Sequence, residues 1–394
     1  MREAMPELHR WWAQGDRAGM ATVVRTYASA PRPPGATMLV GPDGAAVGSV
    51  SGGCVEGAVY ELATAVRDGA PPELQRYGIS DELAASVGIT CGGVVDVFVE
   101  PVDRTSFPEL GMLVAAVEAG EPVALATVIG GDRAGRHLLV FGETPGEARR
   151  RAGGLGSARL DDAVTDDALG LLTAGRSDVL RYGPDGERRG DGLEVVVDSF
   201  APPPRMIVFG AIDFAAAVAE VGRFLGYRVT VCDARPVFAT ARRFPGVDEV
   251  VVDWPHRYLA GQAAAGALDE RTVVCVLTHD PKFDVPLLEV ALRLPIGYVG
   301  AMGSRQTHLD RLDKLRAAGV TAAELARLSS PIGLDLGART PAETAISVAA
   351  EIIARQWHGR GRPLSELTGP IHHARLGLPA QTDASAPNSS SSRS

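Results

Sequence analysis

A run of three prolines in Ala201-Pro202-Pro203-Pro204-Arg205 interrupts the 394-residue chain near its middle. Successive prolines donate nothing to a sheet ladder and hold the backbone extended and stiff, so no regular element passes through this point. We read residues 201–204 as a linker between a domain at 1–200 and a second at 205–378. Two domains also suit the length, since one domain usually holds roughly 100–200 residues.

The hydrophobic pattern differs on the two sides. From Met1 to about Glu100 the chain reads as helix, strand, hairpin, helix, strand. Leu8–Ala13 is helical and Ala21–Thr26 is rich in β-formers. The apolar runs Thr37–Val40 and Ala45–Val50 flank Gly41-Pro42-Asp43-Gly44, which supplies turn dihedrals. A helix from about Cys54 to Arg67 follows, with Val55, Ala58, Val59, Leu62 and Val66 at helical spacing toward a core. Pro122–Val128 and His137–Phe141 form another hairpin, so the first domain is α+β. No stretch of sequence repeats another.

Beyond the prolines, short apolar strands at Met206–Phe209, Tyr227–Cys232, Glu249–Val252, Val273–Leu277 and Tyr298–Val299 alternate with helices or loops. That alternation predicts parallel βαβ units and a Rossmann-like, doubly wound sheet. A last helix runs over about Pro341–Gln356, with Thr340 and Glu343 spaced as a capping box. The Ser-rich tail, 379–394, lacks the apolar surface to order itself.

A net charge of -9 argues against a nucleic-acid surface, which needs clustered Lys and Arg. No run is apolar and long enough to span a bilayer, and charges within the first ten residues leave no secretory leader. The four cysteines form no C-x-x-C pair, and a reducing cytoplasm is the expected compartment; no metal site is expected from their spacing.

The most informative segment is Gly48-Ser49-Val50-Ser51-Gly52-Gly53-Cys54-Val55-Glu56, where a strand passes into a helix. Gly52 and Gly53 let backbone amides approach a ligand, and a helix start favours an anion or thiolate there. Cys54 is therefore expected to be nucleophilic or metal-ligating, and Glu56 to carry a proton or accept hydrogen bonds. The blander reading makes Cys54 a small buried hydrophobe and Glu56 a complement to the helix dipole. Cys91, followed by Gly92 and Gly93, stands in a mirrored context before the strand Val94–Val99.

In the second domain, Gly210-Ala211-Ile212-Asp213-Phe214-Ala215 follows the first strand, where a dinucleotide fold carries G-x-G-x-x-G/A. Ile212 stands at the second glycine position and should block pyrophosphate. Asp233, ending the next strand, is placed to bind a ribose hydroxyl. His279, the Gly303-Ser304-Arg305 loop and Asp335 fall at carboxyl ends of strands, where open α/β sheets bind ligands.

Together these stretches resemble the XdhC/CoxI family over about residues 10–357, in GSVSGGCVE (Gly48–Glu56), CGGVVDVFVEP (Cys91–Pro101), YVGAMGSR (Tyr298–Arg305) and PIGLDLGARTPAE (Pro331–Glu343), with Thr278-His279-Asp280 between them. The resemblance implies an accessory protein, a chaperone more than an enzyme. Such a protein binds the molybdenum pterin cofactor and holds it while a cysteine desulfurase installs a sulfido ligand. It then helps insert the cofactor into the apoenzyme of a xanthine-dehydrogenase-like or CO-dehydrogenase-like molybdenum hydroxylase. Cys54, Glu56 and Cys91 would handle the cofactor, and the second domain would hold its nucleotide or phosphate part. The chain departs from the family pattern at Ile212 and Asp213, where many relatives resemble Gly-x-Gly-His. The rival reading is an NAD(P)-dependent oxidoreductase, with Asp233 at ribose and His279 as proton donor; a third is an interaction scaffold. Whether the chain forms a homodimer is left open.

Overall fold

A computed structural model describes residues 1–27, 32–78, 94–143, 148–188, 190, 192–278 and 280–368. Cys91, Gly92, Gly93, His279 and the tail at 379–394 lie outside the described residues. The chain forms two compact units: Met1–Arg205 with Gly226–Arg228 and Gln262–Thr272, and Met206–Leu225 with Val229–Gly261 and the chain from Val273 onward.

The first unit opens with α1 (Met5–Gln14), which buries Met5, Leu8 and Trp11 and stops at Gly15 in the left-handed region. Next come β1 (Ala18–Tyr27), β2 (Thr37–Val40), β3 (Ala46–Gly48), α2 (Glu56–Arg67), β4 (Glu73–Tyr77) and β5 (Val94–Val102). They are followed by α3 (Leu110–Glu118), β6 (Val123–Val128), β7 (His137–Phe141), β8 (Arg151–Gly153), α4 (Ala158–Thr173), β9 (Asp178–Tyr182) and β10 (Leu193–Phe200). Two five-stranded sheets result, ordered β3-β2-β1-β5-β4 and β8-β7-β6-β10-β9. α2 packs Val59, Ala63 and Val66 onto one face of the first sheet, and α4 covers the corresponding face of the second. The opposite faces share a core with α1 and α3.

These sheets are two copies of one design, contrary to the expectation of no repeat. Met20 pairs with Leu39 and Glu100, and Leu125 pairs with Leu139 and Asp198, so the registers superpose residue by residue up to a shift after Val23 in β1. The details agree as well. Gly48 and Gly153 take φ of 85° and 83° beside the carbonyls of Thr37 and His137, at matched positions of β2 and β7. The cross-strand pair Arg76–Asp96 has its counterpart in Arg181–Glu194. The repeat escapes the eye in sequence because sheet register and turn dihedrals, which many residue types satisfy, carry it.

The helix expected from Cys54 begins at Glu56, and Ala58 is exposed while Ala63 is buried. Ala63 lies inside because Gly19 of β1 lets the helix backbone come close: a Cβ there would strike the Ala63 carbonyl.

The second unit contains β11 (Arg205–Phe209), α5 (Asp213–Phe224), β12 (Arg228–Asp233), β13 (Glu249–Val252), α6 (Pro255–Ala264) and β14 (Val273–Val276). It continues with α7 (Pro281–Ala291), β15 (Tyr298–Ala301), α8 (Arg305–Ala317), α9 (Ala322–Leu325), β16 (Leu328–Ser329) and α10 (Pro341–Trp357), the last started by the expected capping box of Thr340 and Glu343. Its sheet runs β13-β12-β11-β14-β15-β16, with parallel pairing of β11 to β14 and of β14 to β15. This is the Rossmann order, and its switch point lies between β11 and β14. The α/β fold class expected from sequence is the one observed. Among the described residues no helix is long and apolar enough to cross a membrane.

Gly19→Ala should lower stability by about 1–3 kcal/mol, since the added methyl meets backbone that cannot rotate away. Gly170→Ala, inside α4 with open space around it, should raise stability by about 0.5–1 kcal/mol. Urea unfolding of both variants beside the wild type checks the pair.

Candidate functional site

The Cys54 loop leaves β3 at Gly48 and enters α2 at Glu56, passing through Gly52 (φ 77°) and Gly53 (φ 121°). Both values favour glycine, and a Cβ at either would meet nothing within 4 Å, so the loop needs these residues for backbone shape and leaves open space beside them. Glu56 turns back over the loop. Its Oε1 accepts from Ser49 Oγ at 2.7 Å and from the Ser51 amide at 2.9 Å. Its Oε2 accepts from Ser51 Oγ, from the Gly53 amide at 2.8 Å and from the Val55 amide at 3.2 Å. The hydroxyls take the rest: Ser49 Oγ accepts from the Gly52 amide, and Ser51 Oγ from the amides of Cys54 and Val55.

The amides expected to face an incoming anion are therefore satisfied inside the loop. Burial alone would raise the Glu56 pKa, but the bonds from Ser51 and Ser49 outweigh it and bring it down to about 2. Of the two roles read for Glu56, this geometry supplies the acceptor: an ionised brace that holds the loop. What remains for a guest is the half-buried thiol of Cys54 and the space beside Gly52 and Gly53. Cys232 and Cys275 are buried, and desolvation pushes both thiols up to about 12. Among the described cysteines, Cys54 is thus the one open to chemistry. A soft sulfur beside unfilled space fits a molybdenum or sulfide guest, whereas the loop's occupied amides do not fit a phosphate.

In the second unit, Gly210 (φ 107°) sits at the switch point, where a Cβ would press on Thr278 at 3.0 Å. Its absent side chain thus serves strand packing. Asp233, expected at a ribose, is buried and engaged: it accepts from the Ala211 amide at 2.7 Å and from Arg235 Nε and Nη2 at 2.9 and 2.8 Å. Ile212 is the extended residue before α5, and Asp213 pairs with Arg243.

Ser304 caps α8, accepting from the Thr307 amide at 3.1 Å. Arg305 is exposed and makes no ion pair among the described residues, and Asp335 is exposed on its loop. Gly303 lies beside Arg311, which sequence reasoning missed. Arg311 is buried, donating to Asp284 Oδ2 at 3.0 Å, the Met302 carbonyl at 2.7 Å and Ser330 Oγ at 2.9 Å; Asp284 also accepts from Thr278. This buried pair ties the loop after β14 to the loop after β15. One arginine in a helix of charged residues gives no warning in sequence that it points inward. Among the described residues no cluster of three His, Cys, Asp or Glu is arranged to hold a metal ion.

A duplicated β-rich unit bearing an accessible thiol loop, continuous in chain with a Rossmann-ordered unit, defines the class of protein. Residues 206–352 match the XdhC Rossmann domain, and residues 11–78 and 116–183 match the XdhC and CoxI family, one stretch on each copy of the repeat. The chain belongs to the XdhC and CoxI family. It is 26% identical over 340 residues to a probable xanthine dehydrogenase subunit of Bacillus subtilis, covering 86% of this chain and 93% of that one. It is 27% identical over 345 residues to the molybdenum cofactor insertion chaperone PaoD of Escherichia coli, covering 87% and 85%. A crystal structure described as a xanthine dehydrogenase, from Bacillus halodurans, shares the fold with a TM-score of 0.63 at 23% identity, over 91% of this chain and 96% of that one.

The Glu56 brace predicts a pH dependence. A carboxylate whose pKa is depressed by folding contributes stability that is full above about 4.5 and is lost as pH falls toward about 2. Glu56→Gln should be less stable than wild type at neutral pH, and the difference should shrink across that acid window in urea unfolding.

Proposed function

We propose that this chain is an accessory protein of a molybdenum hydroxylase: it receives the molybdenum pterin cofactor and passes it to the apoenzyme. The observation that carries the reading is the half-buried Cys54 thiol beside open space on a loop braced by Glu56. Support also comes from two relatives matched along most of their length, named for molybdenum cofactor insertion and for xanthine dehydrogenase.

In this reading Cys54 meets the molybdenum or sulfur end of the cargo, because a soft metal prefers thiolate and sulfide. Glu56 acts through the loop that carries the thiol and is a positioning residue. Cys91, with Gly92 and Gly93, is proposed as a second thiol for the same cargo. A cysteine desulfurase supplies sulfur to the held cofactor, and the partners meet in the cytoplasm. The loop of Gly303, Ser304 and Arg305, with His279 and Asp335, is proposed as a separate anion-binding site of the second unit, for which the exposed Arg305 guanidinium is suited.

Co-expression with a molybdenum hydroxylase tests the proposal. Cys54→Ala should lower copurifying molybdenum and pterin, or the sulfurated fraction of the client, by about tenfold or more, as loss of a metal-site ligand or its support typically does. Its melting temperature should match wild type. A Cys54→Ala protein that activates the client as well as wild type would remove the thiol from the account.

A further inference from the structure

The two copies in the first unit differ at one place in their shared core. Glu100 of β5 and Asp198 of β10 hold matched register positions, and a Cβ at the matched left-handed glycines Gly135 and Gly35 would stand 3.6 Å from each carboxylate. Beside Glu100 the space is filled. His137 Nε2 lies 3.0 Å from Glu100 Oε2, and the imidazole stacks on Phe107 with 3.9 Å between ring centroids.

Beside Asp198 the residue matching His137 is Thr37, and the one matching Phe107, three before its helix, is Arg2. Losing the imidazole leaves a cavity of about 330 Å³, lined by Asp198, Ser199, Ser177, Thr37, Arg32 and Arg2 among others. The Met1 ammonium also faces it, donating to the Gly35 carbonyl at 2.5 Å. Two buried polar atoms of the lining, Ser199 Oγ and Arg32 Nε, have no hydrogen-bond partner among the described residues. Buried polar groups are ordinarily paired, so a donor and a hydroxyl left over in a polar cavity call for a guest.

We infer that this cavity binds a flat nitrogen heterocycle in the place of the missing imidazole. The guest presents adjacent N–H donors to Asp198 and an anionic substituent to Arg32, in exchange for the exposed Glu3 carboxylate that stands 3.5 Å from Arg32 Nη2. An aminopyrimidinone ring has that edge, in a pterin or in guanine, and a phosphate supplies the anion. Burial raises the Asp198 pKa against the opposing pull of the Met1 ammonium and a hydrogen bond from Ser177. Thr37 of the lining is also bonded to the thiol loop through its backbone: its carbonyl accepts from the Ser49 amide at 3.1 Å, and Ser49 Oγ donates to Glu56. The inference rests on the proposed cofactor role and adds to it a seat for the cargo's ring.

Fluorescence and calorimetric titrations of the full chain with hydroxymethylpterin phosphate, guanosine monophosphate and adenosine monophosphate test it. Binding of either of the first two supports the inference, and the tighter one names the source of the ring. Adenosine monophosphate lacks the donor edge and should bind at least about tenfold more weakly. Thr37→His restores the filled arrangement of the other copy, and Asp198→Asn keeps the shape while removing the charge. Each should weaken binding by about tenfold or more with melting temperature preserved. Equal binding of all three compounds, no binding of any, or unchanged affinity in Asp198→Asn would overturn the inference. Molybdenum and pterin copurifying equally with wild type and Thr37→His would overturn it too, while leaving the proposed function standing.

Discussion

The carboxylate of Glu56, closed on the amides of Ser51, Gly53 and Val55, is the interaction on which the site depends. Amides at a helix start repel one another's partial charges and need an acceptor. Glu56 is the first residue of α2, and it supplies that acceptor by folding back over a loop that Gly52 and Gly53 turn through left-handed dihedrals. The outcome is a loop whose amides from Ser51 to Val55 are satisfied by its own side chains, with the Cys54 thiol half-buried. A chain that used those amides to hold an anion would need the carboxylate elsewhere.

The same frame occurs twice, and the differences between the copies locate the functional features. In the second copy Asp161 accepts from the Leu155 amide at 2.7 Å, the counterpart of the Glu56 brace, yet the loop Gly153-Gly154-Leu155-Gly156 has no thiol. Conversely, the first copy's carboxylate Glu100 is closed off by His137, whereas Asp198 of the second opens on a cavity. The duplication thus supplies one stable scaffold, and each copy departs from it at a different point.

Much of this was legible in sequence, and the parts that were not share a physical reason. The glycine pair, the thiol and the strand-to-helix passage stood out because turns and helix starts demand particular residue types. So did the alternation that gave the second unit its fold. The repeat stayed hidden because Thr37 and His137, or Glu100 and Asp198, are matched by register rather than by identity. Asp233 was read as facing a ligand since its position at a strand end is visible, while the turn that folds Arg235 back onto it is not. Arg311 and Asp284 were missed since burial of a charge depends on a partner distant in sequence. Cys91, Gly92, Gly93 and His279 lie outside the described residues.

The central claim is that the Cys54 thiol meets the cargo. Alkylation of native protein, followed by peptide mass analysis, measures it directly when cofactor-loaded and cofactor-free samples are compared. The account predicts that Cys54 is modified readily in the free protein and is protected on loading, with Cys232 and Cys275 unreactive in both. Equal labelling of Cys54 in the two samples, from protein shown to carry molybdenum and pterin, would contradict it.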